Sequence, residues 1–155
     1  MPRGETRRQM DANDGLRALD RQECLSLLAK APVGRIVYTR QALPAVLPVN
    51  FCLDQDGAVL VRTSASSELA SAIDGAVVAF EADEVDVATH SGWSVVVMGT
   101  ATLVTDPAEH ARLLRTGPRS WAPAPQEAFV RIDPELVTGR DLVGGRTLYG
   151  VHLPS

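Results

Sequence analysis

A chain of 155 residues with 45% hydrophobic and 22% charged side chains has the make-up of one folded domain, not of a disordered segment. Its 15 basic residues are outnumbered by 19 acidic ones, for a formal net charge of −4. That balance argues against a nucleic-acid module held by a general basic surface, yet it leaves room for a small anion gripped by a few arginines.

Residues 1–15 are polar and read as a flexible leader; Arg3, Arg7 and Arg8 are followed by no apolar stretch of the signal-peptide kind. Asp20 with Glu23 three residues later makes a capping-box start for a short amphipathic helix through Cys24, Leu25, Leu27 and Leu28, ending before Pro32. The texture then changes to strands. Gly34–Thr39 is the first, and Ala45–Leu53 the second, with Pro48 marking an edge or a bulge. The turn Asp54-Gln55-Asp56-Gly57 leads into a third strand, Ala58–Thr63, so that a hairpin joins the two.

Ser66–Ile73 is a brief helical turn with Ser66 or Ser67 as N-cap, and Val77–Ala82 is the fourth strand. Asp83-Glu84-Val85-Asp86 reads as a solvated acidic loop, and a long fifth strand runs from about Ser94 to Leu103. Asp106 caps a helix over Pro107–Leu114, with proline at the first position, where its missing N–H costs nothing. A loop with Pro118, Pro123 and Pro125 precedes a sixth strand, Ala128–Ile132, and Val137–Leu142 is a short strand or a final turn. Residues 16–142 therefore form the domain and 143–155 a C-terminal tail. Short strands with only brief helices between them indicate a mainly β fold, an antiparallel barrel rather than a doubly wound sheet.

Chemistry-bearing motifs of the usual kinds are missing from the sequence. Cys24 and Cys52 sit in apolar surroundings and read as reduced core residues. His90, His110 and His152 are too scattered for a zinc set, and the acidic run lacks the regular oxygen-ligand spacing of a calcium loop, so no metal is expected. There is no nucleophile elbow, no Ser-His-Asp order, no GxGxxG and no P-loop. No apolar run approaches membrane-spanning length, and a cytoplasmic protein is expected.

Six local patterns follow one another in a telling order: Val33-Gly34-Arg35-Ile36, Leu47-Pro48-Val49-Asn50-Phe51, Leu60-Val61-Arg62-Thr63-Ser64, Val78-Ala79-Phe80-Glu81-Ala82-Asp83, Ser91-Gly92-Trp93-Ser94 leading to Gly99-Thr100-Ala101, and Val137-Thr138-Gly139-Arg140. The succession, from about Leu19 to Leu142, resembles the small pyridoxamine 5′-phosphate oxidase-like flavoproteins, a group that includes nitroimidazole reductases and is common in actinobacteria. The resemblance implies a six-stranded antiparallel split β-barrel with short flanking helices, forming a homodimer with FMN sites at the subunit interface. Pro48, Val49 and Asn50 would then line the flavin ring. Val61, Arg62, Thr63 and Ser64 would hold the ribityl phosphate, and Trp93 and Ser94 would approach from the other subunit. Donor chemistry agrees, since Arg62 offers a planar fork and Thr63 and Ser64 add hydroxyl and backbone donors.

The implied activity is that of an FMN-binding oxidoreductase passing hydride or electrons between reduced flavin and a small planar acceptor. The chain departs from the family pattern at three positions. Ser66 and Glu68 stand where a glycine and a phosphate-pairing lysine are usual, and Met98 stands where an arginine often precedes the glycine. These departures motivate an alternative: a split-barrel homodimer that has lost FMN and serves as a non-catalytic binding or stress-associated protein. Binding of another large planar ligand, the deazaflavin F420 or a haem ligated by His90, is a further possibility.

Overall fold

The computed structural model describes residues 16–120 and 124–142; the expected leader and the C-terminal tail lie outside the described residues. In chain order the elements are β1 (Leu16–Ala18), α1 (Arg21–Leu28), β2 (Gly34–Arg40), β3 (Leu43–Val49), β4 (Phe51–Leu53), β5 (Val59–Ser64), α2 (Glu68–Ile73), β6 (Val77–Asp86), β7 (Ser91–Leu103), α3 (Pro107–Thr116), β8 (Glu127–Ile132) and β9 (Leu136–Leu142). The class is the expected mainly β one. Among the described residues there are nine strand segments where six were expected, because β1 and β9 pair with each other and the second expected strand is two.

Local signals set the helices. Asp20 and Glu23 close the reciprocal capping box, the Glu23 N–H donating to Asp20 at 2.8 Å and the Asp20 N–H to Glu23 at 2.9 Å. Asp106 caps α3 by accepting from the Glu109 N–H at 3.1 Å, with Pro107 in the first turn. Ser67, not Ser66, caps α2.

The strands form one continuous antiparallel sheet in the order β3-β2-β6-β7-β8-β5-β4, with β9 also on β7. The ends of this order, β3 and β4, are neighbours in the chain with Asn50 alone between them. A run read as one strand, 45–53, therefore changes partner in its middle: Val49 pairs with β2, and Phe51 pairs with Val61 on β5. Pro44 and Pro48 both lie on β3, the edge strand, where a missing N–H breaks no ladder.

The acidic run is a second correction. Residues 83–86 are not a loop but the end of β6, paired with Ser91–Ser94 of β7. Like charges are tolerated there because Arg35, on the adjacent strand, meets both Glu81 and Asp83.

Alternation fills the barrel. Ile36 on β2, Phe80 and Ala82 on β6, and Val95 and Val97 on β7 are fully buried, and the Phe51 and Phe80 rings meet edge-on at 4.6 Å. Leu60, Phe129 and Leu113 make a smaller core where α3 covers the outer face of β5 and β8.

β8 and β9 lie end to end along one side of β7, Ile132 opposite Ala101 and Leu136 opposite Met98, and residues 133–135 step across between them. Gly99 is what allows the step: a Cβ there would fall 1.7 Å from the Asp133 carbonyl oxygen. The outward face of the same region is apolar. Leu136, Met98, Ala79, Val37 and Val46 are successive register partners across five strands. Of these, Leu136, Met98 and Val46 are 52%, 42% and 61% exposed.

Candidate functional site

The turn at Asn50 and the end of β5 open on one cavity of about 360 Å³, lined by Val33, Leu47, Pro48, Val49, Asn50, Arg62, Thr63, Ser64, Arg119 and Ser120. Six of the nine residues singled out in the sequence meet here. The reason is topological. β3 and β5 approach one another at the join between the two ends of the sheet, and no ladder fills the space between them among the described residues. The loop after α3 closes the third side.

Arg62 is the best anchored of these side chains. Its Nη1 donates to the Pro118 carbonyl at 3.2 Å, its Cζ lies 5.3 Å from the centre of the Phe129 ring, and its Nε is 3.2 Å from a Glu127 carboxylate oxygen. That last contact is an ion pair by distance, but its angle falls outside hydrogen-bonding geometry and leaves the buried Nε–H without a hydrogen-bond partner. Glu127 is held charged, below the usual carboxylate range, by the Ala124 N–H and then by Arg62. Thr63 donates to the Ser67 hydroxyl at 3.1 Å, and the Ser64 and Ser66 hydroxyls are 3.1 Å apart. Asn50 Nδ2 donates to the Arg119 carbonyl at 3.1 Å. Two arginines and the hydroxyls of Thr63, Ser64 and Ser120 fit an anionic group, and Val33, Leu47, Pro48 and Val49 supply an apolar wall beside it.

Three of the residues singled out lie elsewhere. Val61 is fully buried, paired with Phe51 on one side and Val130 on the other, and supports the strand that presents Arg62 without lining the cavity. Trp93 faces α1 in a groove of about 460 Å³ with Arg17, Asp20, Glu23 and Asp141, and Ser94 stands between Asp83 and Arg140 on the sheet. Neither touches this chain's cavity. His90 sits in the β6–β7 turn at a φ of 54°, also away from the cavity lining.

Glu68, the expected source of repulsion toward a phosphate, points away and forms an ion pair with Arg40 at 3.0 Å. Met98 is on the exposed apolar row and not in the cavity. Arg119, Ser120 and Glu127 are the residues the sequence did not reveal. The proline-rich loop was visible, but its landing place beside Asn50 depends on contacts 69 residues apart in the chain.

A second titratable cluster lies on the outer sheet face. Arg35 Nη1 reaches Glu81 at 3.0 Å and Asp83 at 3.3 Å. Burial, and after it the neighbouring Asp83, push the Glu81 carboxyl up to about 7 against the pull of Arg35. Among the described residues no group of three or more His, Cys, Asp or Glu is gathered for a metal, and no described helix is long and apolar enough to cross a membrane.

Architecture and site together define a split β-barrel with an arginine-lined cavity at the closure of its sheet. A family model described as pyridoxamine 5′-phosphate oxidase matches residues 20–141, and the chain belongs to that family. Uncharacterized protein Rv0080 of Mycobacterium tuberculosis is 45% identical over 130 residues, covering 81% of this chain and 84% of the relative. Among solved structures, a Corynebacterium glutamicum chain provisionally assigned as a pyridoxamine 5′-phosphate oxidase superposes with a TM-score of 0.71 at 35% identity, over 84% of this chain and 96% of the other. An FAD-binding protein from Mycobacterium smegmatis superposes with a TM-score of 0.63 at 34% identity, over 81% and 97%.

Proposed function

We propose that the chain is a flavin-nucleotide-binding oxidoreductase whose cavity at Asn50 and Arg62 takes the flavin phosphate and the adjoining part of the ring. The observation that carries this reading is the convergence of Arg62, Thr63, Ser64, Pro48, Val49 and Asn50 on one cavity, with Glu68 turned out to Arg40. The FAD-binding relative from Mycobacterium smegmatis supports a flavin as the ligand class. Bound flavin would supply hydride and electron transfer to a small planar acceptor. The chain's own residues do the rest: Arg62 and the hydroxyls fix the phosphate, and the wall from Leu47 to Val49 shields one side of the ring from water. No side chain of the cavity is placed as an obligatory acid or base.

A volume of about 360 Å³ is at the small end for a ligand of this kind. We infer that a second copy completes the site, bringing its Trp93 and Ser94, and that the exposed row from Leu136 to Val46 lies in the contact between copies. The test is a visible spectrum of the protein as purified and after addition of FMN or FAD. A flavin spectrum that shifts on binding supports the reading. A colourless protein that leaves the spectra of both flavins unchanged, well above micromolar concentration, overturns it.

A further inference from the structure

We propose that Arg119 is the second phosphate-holding cation of the cavity, carried there on a loop that Asn50 and Arg62 position. The inference rests on the phosphate reading above and extends it to a residue outside the strands.

Arg62 and Arg119 are the only charged residues among those lining the cavity. Arg62 is already compensated, with Glu127 3.2 Å away, so a phosphate dianion meeting Arg62 alone would find little net positive charge. Arg119 closes no ion pair among the described residues, and it is exposed where Arg62 is largely buried.

Its main chain is nonetheless tied down on both sides. Asn50 Nδ2 donates to the Arg119 carbonyl at 3.1 Å, and Arg62 Nη1 donates to the carbonyl of the buried Pro118 at 3.2 Å. With the backbone fixed and the head uncompensated, only the side chain's own rotamers remain to be ordered when it meets an anion. The same two hydrogen bonds make Asn50 and Arg62 positioning residues for the loop as well as cavity walls. Glu68 does not compete, being paired with Arg40.

The test compares the wild type with Arg119→Ala and Arg119→Lys. Each full-length protein is titrated with FMN, with riboflavin (the same ring without phosphate) and with inorganic phosphate, following flavin fluorescence and the melting temperature. Arg119→Ala should weaken FMN about ten- to a hundredfold, as expected for a lost charge-assisted hydrogen bond. It should leave riboflavin affinity within about twofold, because an exposed side chain carries little of the fold. It should also abolish the rise in melting temperature given by inorganic phosphate, and Arg119→Lys should recover part of both effects. Equal losses for FMN and riboflavin, or no loss for FMN, would overturn the proposal. A wild type that ignores FMN but is stabilised by inorganic phosphate through Arg119 overturns the flavin reading and keeps this one. A wild type that responds to neither overturns both.

Discussion

Glu68 turns its back on the cavity and holds Arg40 at 3.0 Å, bridging the start of α2 and the last residue of β2. Both side chains are well exposed, at 66% and 48%, so the pair contributes about 1 kcal/mol or less. Glu68→Lys should therefore lower the melting temperature slightly and leave FMN affinity within about threefold. Fluorescence titration checks this. A gain of tenfold or more would mean that position 68 faces the phosphate when ligand is bound.

Glu81 should give the protein a pH-dependent stability between about 4.5 and about 7. Folding raises its carboxyl from the ordinary 4.5 to about 7, so the folded state favours the protonated form. Stability from this group is complete below about 4.5 and is lost as the pH rises through about 7. Melting temperatures measured across that window should fall more steeply for the wild type than for Glu81→Gln, which cannot ionise. Parallel profiles would show that Arg35 holds Glu81 charged throughout.

Gly99 is predicted to accept no side chain. Its missing Cβ is the space taken by the Asp133 carbonyl, a backbone atom that cannot swing aside. Gly99→Ala should cost about 3 kcal/mol or more, at the upper end for overpacking, because β8 and β9 would both have to leave β7. Urea unfolding measures the loss; a variant as stable as the wild type would refute the crossing at residues 133–135.

Met98 tests the second copy. A charge placed on the exposed row at Met98→Asp should convert a dimer into a monomer in sedimentation velocity while barely changing secondary structure, since Met98 is 42% exposed in the single chain. Flavin affinity should fall with it. The idea fails if the wild type sediments as a monomer or the variant as a dimer.

What the sequence disclosed is what local physics controls. Asp20 with Glu23, and Asp106 with Pro107, announced their helices because a cap and its helix are a few residues apart. Alternation in 34–39 and 77–82 announced β2 and β6 because each has one face on the core. Partnerships across the chain were hidden. The change of partner at Asn50 depends on Val61, the acidic end of β6 depends on Arg35, and the direction of Glu68 depends on Arg40. Within the site, Arg62-Thr63-Ser64 was legible as a donor-rich strand end, whereas Arg119 and Glu127 reach it only through tertiary contacts.

The closure at Asn50 sets the cavity apart from the ladders that hold the sheet together. Since β3 and β4 are joined by covalent chain and not by a ladder, no interstrand ladder crosses the cavity among the described residues, and the side chains of Asn50 and Arg62 tie its walls instead. The longest pairing of the sheet, β6 with β7, lies on the far side of the strand order from this closure. Substitutions at the exposed Pro48 should therefore reshape the cavity wall at little cost to the fold.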